Sequence, residues 1–154
     1  MLPIQHIHPI VVHFPIVFFL TLAFVDIVAL AMGYSVTGRS ATGNLATGLA
    51  VAAGTFAILA AMFGDAALEF AEANGFSSQI AEIHEGLGET TAAVLAVWAL
   101  IRLFVWWRDK RLAGGIGWGF AALEVAGCAL VVATAYYGGQ LVYTLGVNVA
   151  HAAQ

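Results

Sequence analysis

Four long apolar stretches alternate with short polar ones along the chain, at about Pro9–Met32, Asn44–Ala67, Gly86–Trp107 and Ile116–Thr144. Each is long enough to cross a hydrocarbon core of about 30 Å as a helix, which takes roughly 20 residues. Lipid offers the backbone no hydrogen-bond partner, so a crossing segment must satisfy its amides internally. The interruptions are GYSVTGRSATG, DAALEFAEANGFSSQIAEIHE and RDKRLAGG, whose Gly, Ser, Asn and charges mark a chain leaving lipid. The pattern predicts an all-α integral membrane protein: one domain over residues 1–154, folded as an antiparallel four-helix bundle with both termini on one side. Internal repeats are not evident beyond small residues in the second span, where Ala46, Ala50 and Gly54 recur every four positions, as do Ala53, Ala57 and Ala61. That spacing suits close helix packing, within a bundle or across a homodimer.

Composition agrees, with 62% hydrophobic and 9% charged residues, far from a soluble domain. The lone Cys128 excludes an intramolecular disulfide framework, a C-x-x-C redox pair, a C-x-x-C-H haem attachment and a cysteine-rich zinc site. No basic tract of the kind that binds nucleic acid is present. All five basic residues, Arg39, Arg102, Arg108, Lys110 and Arg111, lie at or beside the first and third loops, which makes those loops cytoplasmic. Asp65, Glu69, Glu72, Glu82, Glu85 and Glu89 surround the middle loop, giving the opposite face an acidic character. Both termini are therefore expected in the periplasm of a bacterial inner-membrane protein. Trp106, Trp107 and Trp118 fit an inner aromatic belt, and Tyr136, Tyr137 and Tyr143 an outer one. MLPIQHIHP has neither a basic leader region nor an A-x-A site, so the first span is read as retained.

This topology brings His8 and His13, His84, and the segment YYGGQLVYTLG to one face. His8 precedes Pro9, which suits a first helical position, so His8 is expected near the cap and wet. His13 is expected deeper, beside the backbone irregularity that Pro15 imposes, with the helix starting either at Pro9 or at Pro15. Gly88 lies one turn beyond His84, and Gly138 and Gly139 sit at the same level of the fourth span, leaving bare surfaces where a flat group could lie. Glycine there also serves close helix packing. His13 and His84 are the candidate axial ligands of a b-type haem, with His8 as the alternative to His13; Gly88, Gly138, Gly139 and Tyr143 are candidate cofactor contacts. Copper or zinc is a further candidate through the His6-x-His8 pair, and a dinuclear iron site through Glu85 and Glu89. His151, in the tail VAHAAQ, is left out of the site.

Three charges lie deeper in the cytoplasmic half: Asp26, Arg102 and Glu124. Charge in a lipid span is expensive, about 2.5 kcal/mol or more per residue on insertion scales, so Arg102 should pair with Asp26 or Glu124. A structural ion pair is the first reading, and a proton path or quinone pocket the functional one.

The motifs IHPIVVHFPI with Asp26, AAMFGD, His84 leading a span that ends in Arg102, and GGQLVYTLGVNV resemble the bacterial membrane family catalogued as domain of unknown function 2231. The resemblance covers almost the whole chain. It implies signature positions at His8, Pro9, His13, Pro15, His84, Gly138, Gly139, Leu141, Val142 and Tyr143. It also implies an electron-transfer setting, since similar proteins are joined to Rieske iron-sulfur or cytochrome c domains. EIHEGLGE departs from that pattern in being more acidic and glycine-rich. The expected function is therefore electron relay through a bis-histidine haem b, between a membrane donor such as quinol and a periplasmic cytochrome or Rieske-type acceptor, with no bond chemistry by the protein itself. A cofactor-free structural or assembly subunit is the alternative, followed by a metal enzyme or a small-solute transporter.

Overall fold

The computed structural model describes residues 6–147 and 149. It is all-helical among these residues: α1 Ile7–Val11, α2 His13–Ala31, α3 Ala41–Ala73, α4 Gln79–Trp107 and α5 Gly114–Tyr143. The pair α1–α2 and each of α3, α4 and α5 are long and apolar enough to cross a membrane. Large apolar side chains such as Phe24, Leu100 and Leu123 face outward, as a lipid solvent requires.

The first span begins at Ile7, ahead of both proline starts expected from sequence. Its break falls at Val12, where α1 ends and α2 begins. Pro15 lacks an amide and its ring crowds the carbonyl four residues back, that of Val11, so the helix yields there. Two other ends also move. The acidic segment after Ala67 stays helical to Ala73 and α4 starts at Gln79, leaving Asn74–Ser78 as the turn. Ala67 and Ala71 continue the buried stripe of α3, so the helix persists until Asn74 and Gly75, and Gly75 takes a left-handed φ of 86°. Ser40 and Ser78 cap α3 and α4 by accepting from the amides of Gly43 and Ile80.

Each helix packs against the next and α5 closes back onto α2, so α2 and α4 are diagonal, as are α3 and α5. The small-residue stripe of α3 is buried inside this bundle at Ala46, Ala50, Ala53, Gly54 and Ala57. It is therefore not available as a homodimer face. A Cβ on Gly54 would sit 3.0 Å from both the Ala99 Cβ and the Leu95 carbonyl oxygen, which is how closely α3 and α4 approach.

A repeat that the sequence pattern hides is visible in burial. The buried Pro15, Phe19, Leu22, Ala23 and Asp26 of α2 correspond, at one constant offset, to the buried Thr91, Leu95, Trp98, Ala99 and Arg102 of α4. Likewise Gly43, Thr47, Ala50, Ala53 and Ala57 of α3 correspond to Gly117, Ala121, Glu124, Gly127 and Val131 of α5. The chain is thus two quasi-equivalent helical hairpins, side by side with the same sense. Shape and burial repeat throughout while most side-chain identities do not, which is why the letters give little sign of it.

At the loop end the two polar connections are laced together. Val36 N–H donates to the Leu112 carbonyl, Thr37 Oγ1 donates to that of Lys110, and the amides of Leu112 and Arg39 donate to Thr37 Oγ1 and Asp109 Oδ1. Gly43 sits under this clasp: a Cβ there would lie 2.2 Å from the Gly38 carbonyl oxygen and 2.6 Å from the Thr37 carbonyl carbon. Gly43→Ala is expected to lower stability by about 1–3 kcal/mol, as overpacking against backbone does. Gly48→Ala, with nothing within 4 Å of its Cβ, should be neutral or stabilising by helix propensity. Melting midpoints of the two variants in detergent check the pair; equal midpoints would contradict it.

Candidate functional site

At the end opposite the clasp, His8 of α1 and His84 of α4 face one another across the bundle, with ring centroids 6.1 Å apart and ring planes inclined at 75°. They occupy equivalent positions in the two hairpins, at the same offset as Asp26 and Arg102. Each histidine lies about five helical turns, roughly 27 Å, from the charged residue of its own hairpin. Five whole turns return a side chain to the same azimuth, so both pairs point at the bundle axis.

Each ring is fixed in the same way. His8 Nδ1 donates to the Ala60 carbonyl at 2.9 Å and His84 Nδ1 to the Thr134 carbonyl at 3.0 Å. A carbonyl only accepts, so both Nδ1 atoms carry hydrogen, and both Nε2 atoms keep a lone pair when the ring is neutral. One turn beyond each carbonyl a glycine backs the ring. A Cβ on Gly64 would lie 3.0 Å from His8 Cε1, and one on Gly138 would lie 2.9 Å from His84 Cε1. Thr134 is itself held by a 2.8 Å hydroxyl contact with Thr91. The result is two half-buried imidazoles, with Nδ1 fixed and no hydrogen-bond partner for Nε2 among the described residues.

The rings border a cavity of about 470 Å³, lined mainly by apolar side chains such as Ile16, Leu68, Val131 and Leu141. That volume lies in the range of small-molecule and cofactor sites, about 300–1,000 Å³. Gly88 and Gly139 border it too, and neither Cβ position meets anything closer than the 4.0 Å to Tyr143 Cδ2 at Gly139. Asp65, Glu85 and Glu89 give the lining its acidic members.

The expected ranking of the first two histidines is reversed. His8 is half-buried and bonded rather than a wet cap, because the helix starts at Ile7 and places it inside the first turn. His13 is exposed at the border of the cavity rather than buried. Tyr143 also borders the cavity but is 91% exposed. His6 is exposed, and His151 falls outside the described residues. No group of three or more His, Cys, Asp or Glu is placed to hold a metal among the described residues. Sequence reasoning missed Ala60, Gly64 and Thr134. The available signal was weak: a small residue four positions before a glycine, Ala60–Gly64 and Thr134–Gly138, a spacing that also occurs elsewhere in both helices, as at Ala50–Gly54 and Ala135–Gly139.

The three deep charges also meet. Arg102 pairs with both Asp26 and Glu124, so neither expected partner is excluded by the other. Its Nη1 donates to the Val36 carbonyl at 2.7 Å, and Trp98 Nε1 donates to Glu124 Oε1 at 3.0 Å.

No curated protein and no solved structure matches the chain at a significant level. A family model described as "Predicted membrane protein (DUF2231)" matches residues 5–151. With a match over nearly its whole length, a four-span helical bundle and the histidine and glycine motifs in place, the chain belongs to the DUF2231 family of membrane proteins.

Proposed function

We propose that His8 and His84 are the axial ligands of a b-type haem and that the protein relays electrons. The observation that carries this reading is the facing pair of imidazoles, each with its Nδ1 hydrogen tied to a backbone carbonyl. Such a bond fixes the tautomer and ring orientation and raises the basicity of the other nitrogen, as at histidines that ligate metals. Two imidazoles that bind one metal ion from opposite sides, with bonds of about 2 Å, hold their centroids roughly 6 Å apart. The 6.1 Å separation agrees with that.

The donor set favours a macrocycle. Two imidazoles leave a tetrahedral zinc two ligands short, whereas a porphyrin brings four nitrogens and needs two axial ones. The apolar cavity wall and the bare surfaces at Gly88 and Gly139 suit a flat group. Bound there, haem would supply one-electron chemistry; the chain would hold the ligands, limit water and set the local dielectric. The acidic rim at Asp65, Glu85 and Glu89 would suit a soluble cytochrome or Rieske-type acceptor with a basic docking face, and the charge bias of the loops supports placing this face in the periplasm. Quinol remains the proposed membrane donor.

The test is a reduced-minus-oxidised spectrum of the full-length protein purified with haem supplied. A sharp alpha band is expected, lost in His8→Ala and in His84→Ala and retained in His13→Ala. Colourless wild-type protein would overturn the reading, and stoichiometric copper without a porphyrin spectrum would replace it with a two-imidazole copper site.

A further inference from the structure

The charged cluster near the clasp holds more acid than base. Asp26, Arg102 and Glu124 are each 0% exposed, and two carboxyl groups share one guanidinium. With both ionised, the cluster would carry a net negative charge fully buried among the helices, which a membrane interior strongly disfavours.

The hydrogen bonds show where a proton would relieve this. Arg102 Nη2 donates to Asp26 Oδ2 and to Glu124 Oε1, so both carboxyl groups meet at one nitrogen. Glu124 Oε1 also accepts from Arg102 Nε and from Trp98 Nε1. The other oxygens, Asp26 Oδ1 and Glu124 Oε2, are buried with no hydrogen-bond partner among the described residues. A buried carboxylate oxygen without a protein donor is poorly stabilised, whereas a carboxylic acid places an O–H there. Both acids meet at one guanidinium nitrogen, and like charges so placed repel, so one proton shared between them would leave the cluster neutral.

The surroundings offer no second positive charge. Along α3 the first ionisable side chain is Asp65, at the histidine end, and on α5 the only other titratable group nearby is Cys128, one turn from Glu124. Arg39, Arg108, Lys110 and Arg111 of the clasp are exposed. The repeat adds an independent point. Asp26 and Arg102 are equivalent positions that balance one another, while the equivalent of Glu124 is Ala50. Glu124 is the acid added to a pair already neutral.

We propose that Asp26 and Glu124 together bind one exchangeable proton, making the cluster a neutral, buried proton-binding site separate from the histidine cavity. The test is infrared spectroscopy of the full-length protein in lipid at neutral pH. The carbonyl stretch of a protonated carboxyl group is expected, shifted to lower frequency in D2O. It should be lost in Asp26→Asn and in Glu124→Gln, because each leaves a single carboxylate paired with Arg102. Absence of the band in wild type, a band unmoved by D2O, or one that persists in both variants overturns the proposal. Should one variant fail to fold, loss or persistence of the D2O-sensitive band in the other decides.

Discussion

Arg102→Met will destabilise the bundle by about 3–5 kcal/mol, the cost of removing one side of a buried ion pair and leaving the other behind. The loss has three parts. Asp26 and Glu124 lose their shared donor, the Val36 carbonyl loses its 2.7 Å bond, and two carboxyl groups are left facing one another. Methionine fills much of the vacated volume, so a cavity adds little. The triple variant Asp26→Asn, Arg102→Met, Glu124→Gln should recover most of the stability, because an uncharged cluster has no desolvation to offset. Unfolding of the purified protein in mixed micelles, followed by circular dichroism, measures both. A single variant within 1 kcal/mol of wild type would show that the cluster is not what holds the loop end together.

Gly64→Val and Gly138→Val should each weaken binding at the histidine site by about 10–100-fold, the usual effect of disturbing the groups that orient a metal-ligating imidazole. The added Cβ alone would lie 3.0 Å from His8 or 2.9 Å from His84. Each glycine is one turn from the carbonyl that holds the ring, so a displaced ring also loses its Nδ1 bond. Gly86→Val meets nothing within 4 Å at its Cβ and should leave binding unchanged. Haem titration followed by absorbance compares the three. Equal affinity across them would mean that the glycines serve helix packing alone.

The four spans were legible because lipid imposes one strong requirement, about 20 apolar residues per crossing, and the chain meets it four times. The pairing of Arg102 was legible for the same reason, since a lone charge has few places to go. His84 was readable as one half of a facing pair; its partner was not. The choice between His8 and His13 turned on where the first helix begins, and helix ends are the least determined part of any pattern. One turn of difference exchanged a wet residue for a half-buried one. The carbonyls of Ala60 and Thr134 could not be read at all, because any residue supplies a carbonyl and only tertiary packing selects which one meets an imidazole. The doubled hairpin is hard to read from the sequence because its two copies keep burial at every position and identity at only a few: Leu22 is the equivalent of Trp98 and Pro15 that of Thr91, while Ala23 and Ala99 agree.

The five-turn spacing between each histidine and its deep charge limits how the chain can change in length. Adding one residue to a helix rotates everything beyond it by about 100°. An insertion anywhere between His84 and Arg102 would therefore swing one of them off the bundle axis, and the same holds between His8 and Asp26 unless the irregularity at Val12 absorbs it. The turn at Asn74–Ser78 is under no such restriction, since it joins hairpins that are already placed by their packing. Insertions and deletions accepted without loss of either buried group are thus confined to the connections, while the interiors of α2 and α4 behave as rulers of fixed length.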